Sequence, residues 1–270
     1  MQIRNAIKRA EETFPFENFM ESFENVYRNI SEIVLSYLPK SSKILDFGCG
    51  ACDKAAVLKF LGYECYACDD LQNNWHLKGD NQKKILDFSE KLGIKFSLLT
   101  DYNIPFENNY FDMVMLHSVL EHLHGSPRDL LNELLKRTKD NGYIFITVPN
   151  LVNIKKRIKV LFGKSNLPAF DTYYWFPGKW RGHVREYTKG DLKSLVKNLD
   201  LEVVQLTSCH QMLRKIPSYL RGVYRFLSYF FKGWADTWLL VAKKKKNWHP
   251  VNLTSAELEE LYNKYTLIGY

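Results

Sequence analysis

Short apolar runs alternate with helix-period segments along most of the chain, which predicts an α/β fold on a doubly wound, mainly parallel sheet. Two further observations support that class. The first run ends in a glycine-punctuated turn, Gly48-Cys49-Gly50, that leads into a helical pattern. The fourth run ends in His117 and Ser118, polar residues at the carboxyl end of a strand, where open α/β sheets place their ligands.

The 270 residues, 46% of them apolar and 25% charged, suffice for a buried core and exclude a disordered chain. A net charge of +8 is compatible with an anionic partner but selects none. No apolar run approaches the roughly 18 residues of a membrane span, and the N-terminal stretch lacks the apolar core of a secretion signal. A cytoplasmic protein is expected.

In chain order, residues 1–15 make a basic start. Phe19, Phe23, Val26, Tyr27, Ile30, Val34, Tyr37 and Leu38 then recur at three- and four-residue steps, an amphipathic helix ended by Pro39. Ile44 to Asp46 is the first strand, and Asp53 to Leu61 a helix stopped by Gly62. Glu64 to Cys68 is the second strand, ending in Asp69 and Asp70. An acid about 20 positions past a glycine turn is placed to accept two hydrogen bonds from a ribose diol; Asp69 lies 19 positions beyond Gly50. Asn81 to Leu92 is a polar helix. Lys95 to Leu99 is the third strand, with Thr100, Asp101 and Tyr102 at its end. Phe111 to Leu116 is the fourth strand, followed closely by Glu121 and His122.

Ser126 and Pro127 start a helix to residue 138. Asn141-Gly142 reads as the turn into strand five, Tyr143 to Val148. Regularity then lapses over an insertion, residues 151–187, that mixes lysines with an aromatic stretch and reads as a lid or recognition segment. Thr188 and Asp191 form a capping box on a helix to Leu199. Leu201 to Thr207 and Trp238 to Ala242 complete seven strands. Residues 213–232 form a basic amphipathic segment whose alternative readings are a helix covering the sheet and a peripheral membrane contact. Thr254 to Glu257 is a capping box on a tail helix.

Cys49-x2-Cys52 and Cys65-x2-Cys68 have the form of a four-thiolate zinc site. The odd spacing of Cys65 and Cys68 puts them on opposite faces of one strand. Buried thiols are therefore expected, and no metal.

Taken together, Asp46–Gly50, Asp69, Pro105-Phe106, Phe111-Asp112, Leu120–Leu123, Asn141–Asn150 and His183–Thr188 resemble the class I S-adenosylmethionine-dependent methyltransferases. The likeness is to small-molecule O-methyltransferases that act on precursors of bacterial cell-surface polysaccharides. It covers about residues 40–245. It implies a Rossmann-like sheet with an antiparallel last strand, an N-terminal helical arm over 1–40, a methyltransferase domain over 41–245 and a C-terminal helical tail over 246–270. The cofactor it implies is S-adenosyl-L-methionine, held by Asp46, Phe47, Gly48, Cys49, Gly50, Asp69, Asp70, Thr100, Asp101, Tyr102, His117 and Ser118. Gly48 to Gly50 lie beside its methionyl part, Asp69 meets the ribose, Asp101 and Tyr102 the adenine edge, and His117 to Val119 the sulfonium. One departure stands out: Cys52 occupies the place where the family usually has a third glycine.

A hydroxyl acceptor needs a base to take its proton. His122 and His183 are the first candidates, with Glu121, Tyr187 and His117 behind them; either histidine could equally serve packing or anchor the insertion. Some relatives place Glu-x-x-Glu-His plus a later histidine around a divalent ion. Here Ser118 stands for the first glutamate, which leaves too few ligands. The acceptor expected is a small anionic or sugar-containing molecule, since aromatic faces pack on sugar rings and Lys and Arg attract phosphate. A quinone-like or lipid-linked acceptor, or a non-catalytic nucleic-acid or ligand binder on the same fold, is the alternative. The scattered basic residues and the absence of a nucleic-acid motif speak against nucleic acid.

Overall fold

The computed structural model describes residues 1–100, 104–211, 219, 222 and 231–266, with backbone alone at 232, 265 and 266. Asp101, Tyr102 and, apart from isolated positions, the 213–232 segment lie outside the described residues.

Seven strands form one sheet: β1 Lys43–Phe47, β2 Glu64–Asp69, β3 Lys95–Leu98, β4 Phe111–His117, β5 Thr138–Pro149, β6 Glu202–Cys209 and β7 Thr237–Lys243. Their order is β3-β2-β1-β4-β5-β7-β6. Pairs from β3 to β5 are parallel, and β7 runs antiparallel to both β5 and β6. The doubly wound class and the antiparallel last strand are therefore present as expected. β7 also sits between β5 and β6, an order that strand periodicity does not encode.

Burial on both faces explains why the central strands read as continuous apolar runs. Ile44, Met113, Met115, Phe145 and Val241 face one core with helices α1 (Gln2–Thr13), α2 (Glu24–Tyr37) and α3 (Asp53–Phe60). Leu45, Val114, Leu116, Ile144, Ile146 and Leu240 face the other core, with helix α5 (Arg128–Arg137). Four leucines of α5, at 130, 131, 134 and 135, are buried there; truncating one to alanine costs about 2–5 kcal/mol. Cys65 and Cys68 belong to opposite cores, as their spacing requires.

Helix α4 (Asn81–Lys91) precedes β3. The insertion holds two short helices, α6 (Ile154–Leu161) and α7 (Phe170–Tyr174), neither with a buried residue. Helix α8 (Lys189–Asn198) carries the capping box expected at Thr188 and Asp191, and α9 (Ser255–Thr266) the one at Thr254 and Glu257.

Three local readings change. Asn141, at φ +61°, is not a turn before β5 but an irregularity inside it. The register shifts there from Phe111↔Thr138 to Met113↔Tyr143, so the strand begins earlier than Tyr143. Pro127 occupies the N-cap position of α5 rather than its first turn. The arm helix expected from Phe19 opens as a 3-10 turn, Met20–Phe23, and becomes α-helical at Glu24.

Candidate active site

The strand order turns back on itself between β1 and β4, and the carboxyl ends of these strands open into a crevice of ≈ 520 Å³. Its sheet-side wall includes Phe47, Gly48, Gly50, Asp69, Asp70, Thr100 and Ser118. Seven of the twelve cofactor residues expected from the sequence thus share one cavity.

The glycine turn is shaped by contact as well as by conformation. Gly48 has φ +69°, and a Cβ there would lie 2.5 Å from Val119 Cγ2. The Gly48 and Cys49 N–H groups donate to the Cys68 carbonyl oxygen at 2.8 and 3.2 Å. The Gly50 N–H donates to Asp69 Oδ2 at 2.8 Å, and the Leu71 N–H to Asp69 Oδ1 at 2.7 Å. Asp69 therefore braces the turn and keeps a spare lone pair on each oxygen.

Cys52 is fully buried in the left-handed region at φ +62°, its Sγ 3.7 Å from Cys49 Sγ. That conformation accounts for the usual glycine, since a side chain there costs roughly 1–2 kcal/mol. The thiol points into the core, so close approach within the crevice is kept. Cys49 is buried too, its thiol pushed up by burial, and it offers the crevice no side chain. Leu71 and Ser118, at φ +49° and +55°, are two more left-handed residues around this crevice.

Asp46 and His117 sit behind the wall. Asp46 is buried, and neither carboxylate oxygen has a hydrogen-bond partner. Burial raises its pKa to about 7, with the Lys54 ammonium pulling the other way. Lys54 Nζ meets Asp53 Oδ1 at 3.0 Å, and the Tyr27 hydroxyl donates to Asp53 Oδ2 at 2.7 Å. His117 packs on Phe145, its Nδ1 3.2 Å from Thr147 Oγ1. Burial first, and Lys54 second, hold its pKa well below the usual value, so the ring is neutral.

An unpartnered buried carboxylate behind the crevice and two carboxylates on its rim fit a cationic ligand. S-adenosyl-L-methionine, with a sulfonium and an ammonium, has that charge.

The expected acid–base residues divide into two sets. Glu121, His122 and His183 converge, with one ligating atom from each within 4.8 Å of the others. His122 Nδ1 donates to the Arg181 carbonyl oxygen at 2.8 Å, and His183 Nδ1 lies 2.8 Å from Glu186 Oε1. Both rings thereby present a free Nε2. His183 is pushed down to about 4 by burial, His122 and Lys156. Glu121 is fully buried with neither oxygen in hydrogen-bond geometry, and burial raises it to about 7. The long-range approach of His183 supplies the third group that sequence spacing did not show, and the trio could hold a divalent cation. Tyr187 is different: it is buried and its hydroxyl donates to the Leu120 carbonyl oxygen at 3.4 Å, which commits its proton to structure.

Crevice residues missed by sequence reading come from loops. His76, from the segment after β2, has its Nε2 3.9 Å from where a Gly50 Cβ would be. Lys179, Trp180 and Arg181 enter from the insertion. The insertion is pinned to the rim at several points: His124 Nε2 donates to the Trp180 carbonyl oxygen at 2.7 Å, the Val184 N–H donates to the Glu121 carbonyl oxygen at 2.7 Å, and Arg181 lies 3.5 Å from Asp70. The irregularity of the insertion was legible, but its individual contacts with the crevice were not.

Solved structures of similar shape carry this fold. A SAM-dependent methyltransferase from Archaeoglobus fulgidus aligns with TM-score 0.55 and 19% identity over 84% of this chain and 98% of its own. The [4+2]-cyclase SpnF aligns with TM-score 0.53 and 14% identity over 82% of this chain and 81% of its own. An uncharacterized methyltransferase of Schizosaccharomyces pombe is 32% identical over 124 residues, a match spanning 42% of each chain. Residues 20–206, most of the chain, match the family model described as a methyltransferase domain. The chain belongs to that family, whose cofactor is S-adenosyl-L-methionine.

Proposed function

We propose that the protein transfers a methyl group from S-adenosyl-L-methionine to an oxygen of a small acceptor, a sugar or phosphorylated precursor of a surface glycan. The observation that carries this reading is one cavity that joins the Asp69-braced glycine turn to His122 and to the basic wall of Lys179 and Arg181. When bound, the cofactor supplies a methyl group already activated by its sulfonium. The task left to the chain is alignment of acceptor and donor. Asp69 holds the ribose hydroxyls, and Asp70 and Thr100 complete the nucleoside side. Lys179 and Arg181 orient an anionic acceptor. His122 takes the hydroxyl proton on its free Nε2, and His183 beside it supports that ring.

A base role for the histidines makes turnover insensitive to chelators. Turnover lost in EDTA and restored by a divalent cation would replace it with metal-assisted alignment at Glu121, His122 and His183. The SpnF likeness is a reminder that fold alone does not set the reaction. Calorimetry with S-adenosylmethionine, then labelled methyl transfer into sugar phosphates, nucleotide sugars, lipid-linked sugars and RNA, tests the reading. No cofactor binding ends it. Binding with transfer only into RNA keeps the enzyme and overturns the acceptor.

A further inference from the structure

The insertion carries an apolar surface that no described part of the chain covers. Helices α6 and α7 bury none of their residues. Leu161 is 81% exposed, Phe162 73% and Trp175 77%, and Leu167, Phe170 and Tyr174 are exposed beside them in sequence. Soluble surfaces rarely gather this many large apolar side chains in so short a stretch without a use for them.

We propose that α6, α7 and their connection form a docking surface for an anionic lipid bilayer. Charge selects this occupant. Residues 151–185 contain eight lysines and arginines and a single acid, Asp171. Lys156 is turned inward to pair with Glu186, and Arg157 Nε donates to the Val152 carbonyl oxygen. Lys155, Lys159 and Lys164 remain exposed among the apolar residues. Leucine, phenylalanine and tryptophan interleaved with lysine suit the boundary between lipid headgroups and acyl chains. A second copy of the chain would bring two strongly basic faces together. A nucleic acid would use the lysines but leave Leu161 and Leu167 without a partner.

The α7 end of this surface is continuous with the crevice. Tyr173 and Phe176 rest against Trp180 at 5.4 and 5.1 Å between ring centroids, and Trp180 lines the cavity. Docking therefore places the mouth of the site at the headgroup level. No helix among the described residues is long and apolar enough to cross a membrane.

The test is sedimentation of the full chain with phosphatidylcholine vesicles and with vesicles of equal parts phosphatidylcholine and phosphatidylglycerol. The wild type should pellet with the anionic vesicles only, and less so at high salt. A Leu161→Ser/Phe162→Ser/Trp175→Ser variant and a Lys155→Glu/Lys159→Glu/Lys164→Glu variant should each lose at least roughly tenfold in vesicle affinity. Both should bind S-adenosylmethionine as the wild type does, which separates this surface from the cofactor reading. Wild type left in the supernatant, or a serine variant that pellets undiminished, overturns the proposal. A concentration-dependent dimer abolished by the serine variant overturns it in favour of self-association, and equally tight RNA binding by both wild type and serine variant in favour of nucleic acid.

Discussion

Glu121 is the residue whose environment departs furthest from what its place in the sequence suggests. It stands one turn beyond a strand end, yet it is fully buried and its carboxyl is raised to about 7 from an ordinary 4.5. Well below pH 4.5 it is neutral in both folded and unfolded states and has no effect on stability. As pH rises from there toward 7 the unfolded chain ionises first, so wild-type stability falls and then stays lower. Glu121→Gln removes this penalty. Its Tm should match the wild type well below pH 4.5 and exceed it at pH 8, by up to about 3 kcal/mol in unfolding free energy. An unchanged difference across that range, read by calorimetric melting, refutes the assignment. The two histidines are tested as single variants of the wild-type chain. His122→Ala and His183→Ala should keep cofactor affinity and each lose roughly 10²-fold or more in turnover; unchanged turnover in both removes them from the chemistry. Asp69 and His122 were readable as crevice residues, because they stand at or just past the carboxyl ends of β2 and β4, and both line the cavity. The displacement of Asp46 and His117 behind the wall was not readable, since a strand's alternation fixes a face and not the depth of its end.

Among the elements, those governed by local chemistry were the legible ones. Helix α8 is an example: the Asp191 N–H donates to Thr188 Oγ1 at 3.1 Å, and the Thr188 N–H to Asp191 Oδ2 at 2.8 Å. This cap closes the insertion, directly after Tyr187, and so sets where the chain returns from His183 to the sheet. Thr188→Ala should cost about 1 kcal/mol, a fall in Tm of roughly 2–4 °C, with cofactor affinity unchanged. A fall several times larger means that the cap also holds the insertion in place. Asn141-Gly142 shows the limit of such signals. The dipeptide favours positive φ whether it makes a turn or a strand irregularity, and the choice is made by pairing with β4. β7's place between β5 and β6 is likewise decided by pairing between distant segments.

On the scale of the molecule, the N-terminal arm reaches one wall of the cavity through a chain of aromatic contacts. Phe14 packs against Phe16, Phe19 and Phe88, with ring centroids 5.5, 5.2 and 5.1 Å apart. Phe16 and Phe19 meet Trp75 at 4.8 and 5.3 Å, and Trp75 meets His76 at 5.3 Å. His76 is buried and lines the cavity opposite Gly50. Its segment, between β2 and α4, has no strand of its own to hold it; these rings hold it together with the hydrogen bonds that Asn81 Nδ2 and Gln82 Nε2 donate to the Trp75 and Leu71 carbonyl oxygens at 2.8 and 2.9 Å. Losing two aromatic contacts frees the segment, and cofactor binding must then supply the ordering. Phe16→Ala/Phe19→Ala should therefore weaken S-adenosylmethionine affinity by roughly tenfold, about 1.4 kcal/mol, when measured by calorimetry well below the melting temperature. His76→Ala should weaken it by a similar factor. Leu134→Ala, in the core on the other face, is the control: it should lower Tm more than the double variant and leave affinity unchanged. If the double variant binds like the wild type, the arm merely covers the sheet. If Leu134→Ala weakens binding equally, affinity follows global stability rather than the aromatic chain.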